Sequence, residues 1–211
     1  MTVFNQSIRS FIDASASAAP TPGGGSVAAL VAALGASMTS MVANLTQGAQ
    51  FASVEADMDE LAMKMKEYIT TFETLLEADM ISFNRYMTAI KLPKSTAEEK
   101  AIRTEQIQAA TVAAAQVPLH LAETAMQVLE QIHTIKDSAN KHVLSDLGIS
   151  VLLLEAAVQA ALLTVDINLP GLKNEGIRTE FTQKRNFIAA HVTTYKNDLM
   201  DAIQHRMAQN T

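Results

Sequence analysis

The chain has 211 residues, 16 basic against 22 acidic side chains for a formal charge of -6, and a composition that is 48% hydrophobic, 18% charged and 5% aromatic. An acidic chain with no dense basic cluster argues against a nucleic-acid partner. The absence of cysteine excludes disulfides and thiolate chemistry and leaves a metal only scattered His and carboxylates, which suggest no site.

A core of Ala, Leu, Ile, Val and eleven Met suits closely approaching helices better than strands, and the length fits one compact domain over 1–211. Phe4, Ile8, Phe11 and Ile12 recur at helical spacing and predict a short amphipathic helix. Pro20 and Pro22 of "PTPGGGS" break it, and Ser26 is placed to cap a helix running from 27 to 47 or 48. The uncharged span 14–54 is long enough to cross a bilayer. Its Ala, Ser, Thr and Gly content, with Ser37, Thr39, Ser40 and Asn44 in the apolar run, reads instead as a buried helix of a cytoplasmic protein, with no membrane partner.

From 54 to 92 neither Gly nor Pro occurs, and Met58, Leu61, Met65, Phe72, Leu75, Leu76, Phe83 and Ile90 mark one long amphipathic helix or two in succession. Pro93 ends it. Ser95 with Glu98, or Thr96 with Glu99, forms a capping box for the next helix, which meets Pro118 at an expected kink or tight break. Asp137, Asn140 and Ser145 mark a connection, and "LGISVLLLEAAVQAALLTV" reads as a central helix near 147–165. Pro170 and Gly171 signal a turn before a last helix from 174 or 178 to 207. The fold class is all-α: a bundle of long amphipathic helices around two central Ala-rich apolar ones. Two helices that apolar on every side are hard to cover within 211 residues, which points to a homodimer.

Three consecutive glycines before a helix present free N–H groups beside its positive end, a setting that favours phosphate or carboxylate. The other reading is a tight turn packed on a neighbour. No Lys follows the glycines and no strand precedes them, so neither a Walker loop nor a dinucleotide fingerprint is present.

The stretch "PTPGGGSVAALVAALGASMTSMVANLT", followed in order by "EADMISFNRYMTAIKLPKSTAEEKAIRTEQIQAATVAAAQVPL", "NKHVLSDLGIS" and "VDINL", resembles the cyclodeaminase/cyclohydrolase family of one-carbon folate enzymes over roughly residues 10–170. The resemblance implies an all-helical homodimer that binds a tetrahydrofolate derivative as substrate, with no further cofactor and no metal. Its activities are cyclodeamination of 5-formiminotetrahydrofolate to 5,10-methenyltetrahydrofolate and ammonia, the reading preferred here, or hydrolysis of the methenyl bridge to 10-formyltetrahydrofolate. A non-catalytic folate binder partnering a separate formiminotransferase is the third reading.

Carried over by position, the resemblance puts Gly23, Gly24, Gly25 and Ser26 at the folate and makes Asp79 and Asp146 the catalytic carboxylates. For Asp79 the alternative is a solvated helix face, and for Asp146 a helix cap. Lys94 and Arg103 are candidates for a folate carboxylate, or plain surface charge. Asn140 and Asn168 are candidates for the pterin, with Asx-turn capping the alternative. His120 reads as a packing residue rather than a general base. Where an Asn-Val pair is expected the chain has Thr164 and Val165, so Thr164 departs from it and keeps only a hydroxyl.

Overall fold

The computed structural model describes residues 2–209 and contains six α-helices and no strand among them. They are α1 (Ile8–Ser15), α2 (Gly24–Asn44), α3 (Glu55–Ala89), α4 (Ala97–Ile135), α5 (Leu144–Asn168) and α6 (Glu175–Ala208). Helices α2, α3, α4 and α5 form a four-helix arrangement in which α2 and α4 lie diagonally, each packed on α3 and α5, while α6 covers α5 and α4 from outside. Neighbours run antiparallel. Ser26 of α2 meets Asp79 of α3 while Gln47 meets Asp59, and Gly35 and Thr39 of α2 meet Ser150 while Leu45 meets Asn140.

Small residues explain how α2 reaches the centre. Ala28, Ala29, Ala32, Ala33, Ala36 and Ala43 are buried, and at Gly35 a Cβ would stand 2.8 Å from Leu154 Cγ and 3.3 Å from the Ser150 carbonyl. Backbones approach closely there, and the hydroxyls of Thr39 and Ser150 satisfy each other at 2.7 Å while Ser150 donates to the Gly35 carbonyl at 2.7 Å.

Several expectations change. Helix α2 begins at Gly24 with Gly23 in the capping position, so Ser26 is not a cap, and it stops at Asn44 rather than 47. Phe4 falls in a separate 3-10 turn, Val3–Asn5, ahead of α1. The capping box is Thr96 with Glu99. Most informative, α4 runs unbroken through Pro118. Proline removes the N–H that would bond the carbonyl four residues earlier, and that carbonyl, Ala114, receives the side-chain amide of Asn168 from α5 at 3.2 Å.

Both α2 and the stretch Lys141–Gly171 are apolar and long enough to cross a membrane, yet about half of each is buried in the bundle (56% and 50%). What remains exposed is ordered. Val27, Leu34 and Met41 on α2 with Leu45 at its C-cap, and Ile149, Leu152, Leu163 and Ile167 on α5, form apolar stripes along neighbouring helices.

The Asn168 contact predicts non-additivity. Asn168→Ala should cost about 1–2 kcal/mol by leaving the Ala114 carbonyl unbonded, and much less in a Pro118→Ala background, where the helix supplies its own N–H. Urea denaturation of the two single variants and the double variant measures this coupling; equal costs in both backgrounds would refute it.

Candidate functional site

Asp79 lies on α3 where α2 starts. Its Oδ2 accepts the Ser26 hydroxyl at 2.7 Å, and the Ser26 backbone N–H also faces the carboxylate. Ser26 is fully buried. The carboxylate therefore occupies the position that a helix's own capping side chain usually fills, at the positive end of α2. It needs a glycine to get there: a Cβ on Gly25 would stand 2.2 Å from Asp79 Oδ1 and 2.7 Å from its Cγ.

The three glycines consequently differ in role. Gly25 makes room for the carboxylate. Gly23 has only ordinary contact with the Pro20 carbonyl at 3.5 Å, and a Cβ on exposed Gly24 would meet nothing within 4 Å. Nothing within the chain requires a glycine at Gly24, the outermost residue of α2.

Burial holds the Asp79 pKa above its ordinary value, and the side-chain and backbone hydrogen bonds from Ser26 pull it down only in part. No other charge enters, which follows from the surroundings: α2 carries no charged side chain, and the α3 positions one turn away from Asp79 are Leu75, Leu76, Ser82 and Phe83. A half-buried carboxyl that retains its proton more readily than a solvated one is suited to accept and return a proton.

The other candidates fall elsewhere. Asp146 is half-buried in the first turn of α5, level with the far end of α2, so the two carboxylates lie about 24 Å apart along the bundle and do not form a pair within one chain. Asn140 stands at that same far end with its polar groups spent on the fold: its amide donates to the Leu45 carbonyl at 2.7 Å, its Oδ1 accepts the His142 N–H at 3.0 Å, and its backbone N–H reaches Thr46 Oγ1 at 3.0 Å. Asn168 lies at the Asp79 end, but its amide bonds the Ala114 and Thr164 carbonyls. Thr164 uses its hydroxyl on the Ala160 carbonyl.

Arg103 reaches back from α4 to the Ile90 carbonyl through Nε at 3.3 Å and Nη2 at 3.1 Å, closing the C-terminal end of α3. Lys94 is exposed in the turn between the two helices. That turn lies roughly 16 Å beyond Asp79, because Ile90 is eleven residues further along α3. The stripe between them, Phe83 and Tyr86, shares the Asp79 face and is half-buried. His120 is an exposed residue in a groove of about 680 Å³ between α4 and α6, beside Glu123, Lys184 and Phe187, rather than a packing residue.

A groove of about 700 Å³ that no sequence pattern signals lies between α3 and α4, lined by Ile81, Asn84, Arg85, Ile102 and Gln106 among others. Ile81 is two residues from Asp79 and so points to the opposite side of α3, which separates this groove from the Asp79 carboxyl. Among the described residues no group of three or more His, Asp or Glu is arranged to hold a metal ion.

The sequence profile of the formiminotransferase-cyclodeaminase family matches residues 7–187. The methenyltetrahydrofolate cyclohydrolase of Methylorubrum extorquens is 33% identical over 204 residues, 96% of this chain and 98% of its own; the rat formimidoyltransferase-cyclodeaminase is 37% identical over 82% of this chain but 32% of its own. The chain thus spans about a third of the two-activity relatives and nearly all of the Methylorubrum one. Among solved structures, the formiminotetrahydrofolate cyclodeaminase of Thermotoga maritima superposes with a TM-score of 0.86 at 26% identity, covering 96% of this chain and 98% of that one.

The glycine geometry makes an asymmetric prediction. Gly25→Ala should lower stability by about 2 kcal/mol or more, since its Cβ collides with the Asp79 carboxylate, whereas Gly24→Ala should leave the thermal midpoint unchanged or slightly raised. Asp79 adds a signed one. Its raised pKa means that the folded state holds the proton more tightly than the unfolded chain, so this group favours folding at acidic pH and its contribution declines as pH rises through the folded pKa. Asp79→Asn should therefore be at least as stable as the parent at pH 7 and less dependent on pH above 4, as read from urea midpoints across pH.

Proposed function

The chain belongs to the formiminotransferase-cyclodeaminase family, and on that basis we propose that it is a folate-dependent one-carbon enzyme that closes 5-formiminotetrahydrofolate to 5,10-methenyltetrahydrofolate with release of ammonia, using Asp79 as the proton-transfer group. The observation that supports this is the half-buried, pKa-raised Asp79 carboxyl at the start of α2.

The reaction needs one proton moved between two nitrogens on the same carbon. The formimino group enters protonated, as –CH=NH2+: N10 attacks its carbon to give a tetrahedral centre bearing an amino group, the N10 proton passes to the Asp79 carboxylate, and the carboxyl returns it to that amino group as the carbon–nitrogen bond breaks and ammonia leaves. Because both nitrogens are bonded to one carbon, a single carboxyl group reaches both. The product cation then forms beside a carboxylate restored to its charged state, which stabilises it.

In this reading the one-carbon bridge sits by Asp79 and exposed Gly24, the ring system lies along Phe83 and Tyr86, and the glutamate carboxylates point to Lys94 and Arg103. Gly23 belongs to the loop that shapes this end. Asp146 and Asn140 are too distant to touch the same bridge within one chain.

The apolar stripes of α2 and α5 support a homodimer: about 30 Å long and two helices wide, they approach the roughly 800 Å² per partner that stable interfaces bury. A separate formiminotransferase would supply the substrate, a division of labour that the longer relatives combine in one chain, and a cytoplasmic setting goes with this metabolism.

Hydrolysis of the methenyl bridge is the second reading, favoured by the Methylorubrum relative of near-equal length. Here water adds to the methenyl carbon and gives one proton to Asp79, which passes it to N5 as the bond from N5 to that carbon breaks; the remaining hydroxyl proton is released to solvent, leaving the formyl group on N10.

Adding 5-formiminotetrahydrofolate to the purified protein should produce methenyl absorbance with stoichiometric ammonia, and Asp79→Asn should lower kcat by about 100-fold or more without unfolding the chain. Rapid loss of methenyl absorbance with no ammonia-forming activity would select hydrolysis; an unchanged rate in the Asp79 variant would remove the carboxyl from either scheme. Leu34→Glu should convert a dimer to a monomer by light scattering, and a monomeric parent would refute the interface.

A further inference from the structure

The sequence motif suggested that Ser26 binds the ligand as part of the glycine loop, but its surroundings assign it differently. The side chain is fully buried, its hydroxyl hydrogen is directed at Asp79 Oδ2 at 2.7 Å, and the neighbouring Gly25 has no side chain so that Oδ1 can lie against the helix start. A buried hydroxyl already committed to a carboxylate is not free to contact folate.

We infer that Ser26 is a positioning residue for the proposed reaction: by holding Oδ2 of Asp79, it fixes the carboxyl orientation so that Oδ1 is the oxygen that exchanges the proton with the folate nitrogens. This rests on the assignment of Asp79 as the proton-transfer group.

The geometry carries three consequences. A carboxyl on a long α3 helix has two side-chain torsions to restrain, and one hydrogen bond from a fully buried partner on another helix restrains both. The bond selects between oxygens, because Oδ1 receives no side-chain donor among the described residues. It also favours the charged form against burial, and no charged side chain on α2 or at the α3 positions three and four residues from Asp79 competes with it.

The test separates positioning from ligand contact and from mere packing. Ser26→Ala should lower kcat about tenfold while leaving the affinity for 5-formyltetrahydrofolate, an unreactive analogue, unchanged. With the hydroxyl removed, the Asp79 pKa should rise, moving the acidic limb of the kcat profile to higher pH; Ser26→Thr, which keeps the hydroxyl, should restore the parent profile. Carbon-13 NMR titration of the labelled Asp79 carboxyl in parent and Ser26→Ala protein reads the same shift without turnover.

An unmoved NMR titration would overturn the inference, as would weaker analogue binding with kcat intact, which would make Ser26 a folate contact. A shifted titration with unaltered kcat would overturn the positioning role while leaving the hydrogen bond in place. Loss of the underlying reading is recognised separately, by a parent protein that turns over neither folate substrate or by an Asp79→Asn variant of normal rate; either result also removes the inference.

Discussion

A carboxylate held against the first turn of a buried helix organises this molecule. The free N–H groups at the start of α2 and the Ser26 hydroxyl favour a charged Asp79, while its removal from water opposes it, and burial prevails. The same contact determines where α2 begins relative to α3, why Gly25 has no side chain, and why the loop ahead of it is no open anion receptor: its natural anion is already supplied by the protein.

Placing that junction where the fold has it depends on helices that can come close. Helix α2 presents Ala and Gly to its neighbours and carries no charge, so its backbone approaches α5 at Gly35 and α3 at Gly25 without ion pairs to accommodate. The cost of so apolar a helix is exposed hydrophobic surface, and the Val27, Leu34, Met41 and Leu45 stripe with its α5 counterpart is where that surface remains. Antiparallel packing also sorts the polar residues by end. The Asp79 end gathers the helix start, the overhanging α3–α4 hairpin and Asn168, whereas Asp146 and Asn140 share the other.

Much of this was legible in the chain itself. Helical spacing, the absence of Gly and Pro from 54 to 92, the Thr96 and Glu99 box and the order of the breaks predict the six-helix layout closely. Pro118 misleads, because whether a proline breaks a helix depends on whether some other donor reaches the orphaned carbonyl, and the donor, Asn168, comes from 50 residues downstream. Ser26 misleads in a similar way: a serine near a helix start resembles a cap, and only the approach of α3 turns its hydroxyl toward Asp79.

The sequence by itself determined the all-helical class, the glycine-led entry to an apolar helix and the family motif, because these depend on residue type and spacing along the chain. Tertiary structure alone decided which polar groups were free. Asn140 and Asn168 spend their side-chain amides on backbone carbonyls, whereas the half-buried Asp79 carboxyl has its pKa raised by its surroundings. Hydrogen-bond satisfaction and desolvation are set by neighbours distant in sequence, so one-dimensional pattern identifies the chemistry on offer but not the atom left to perform it.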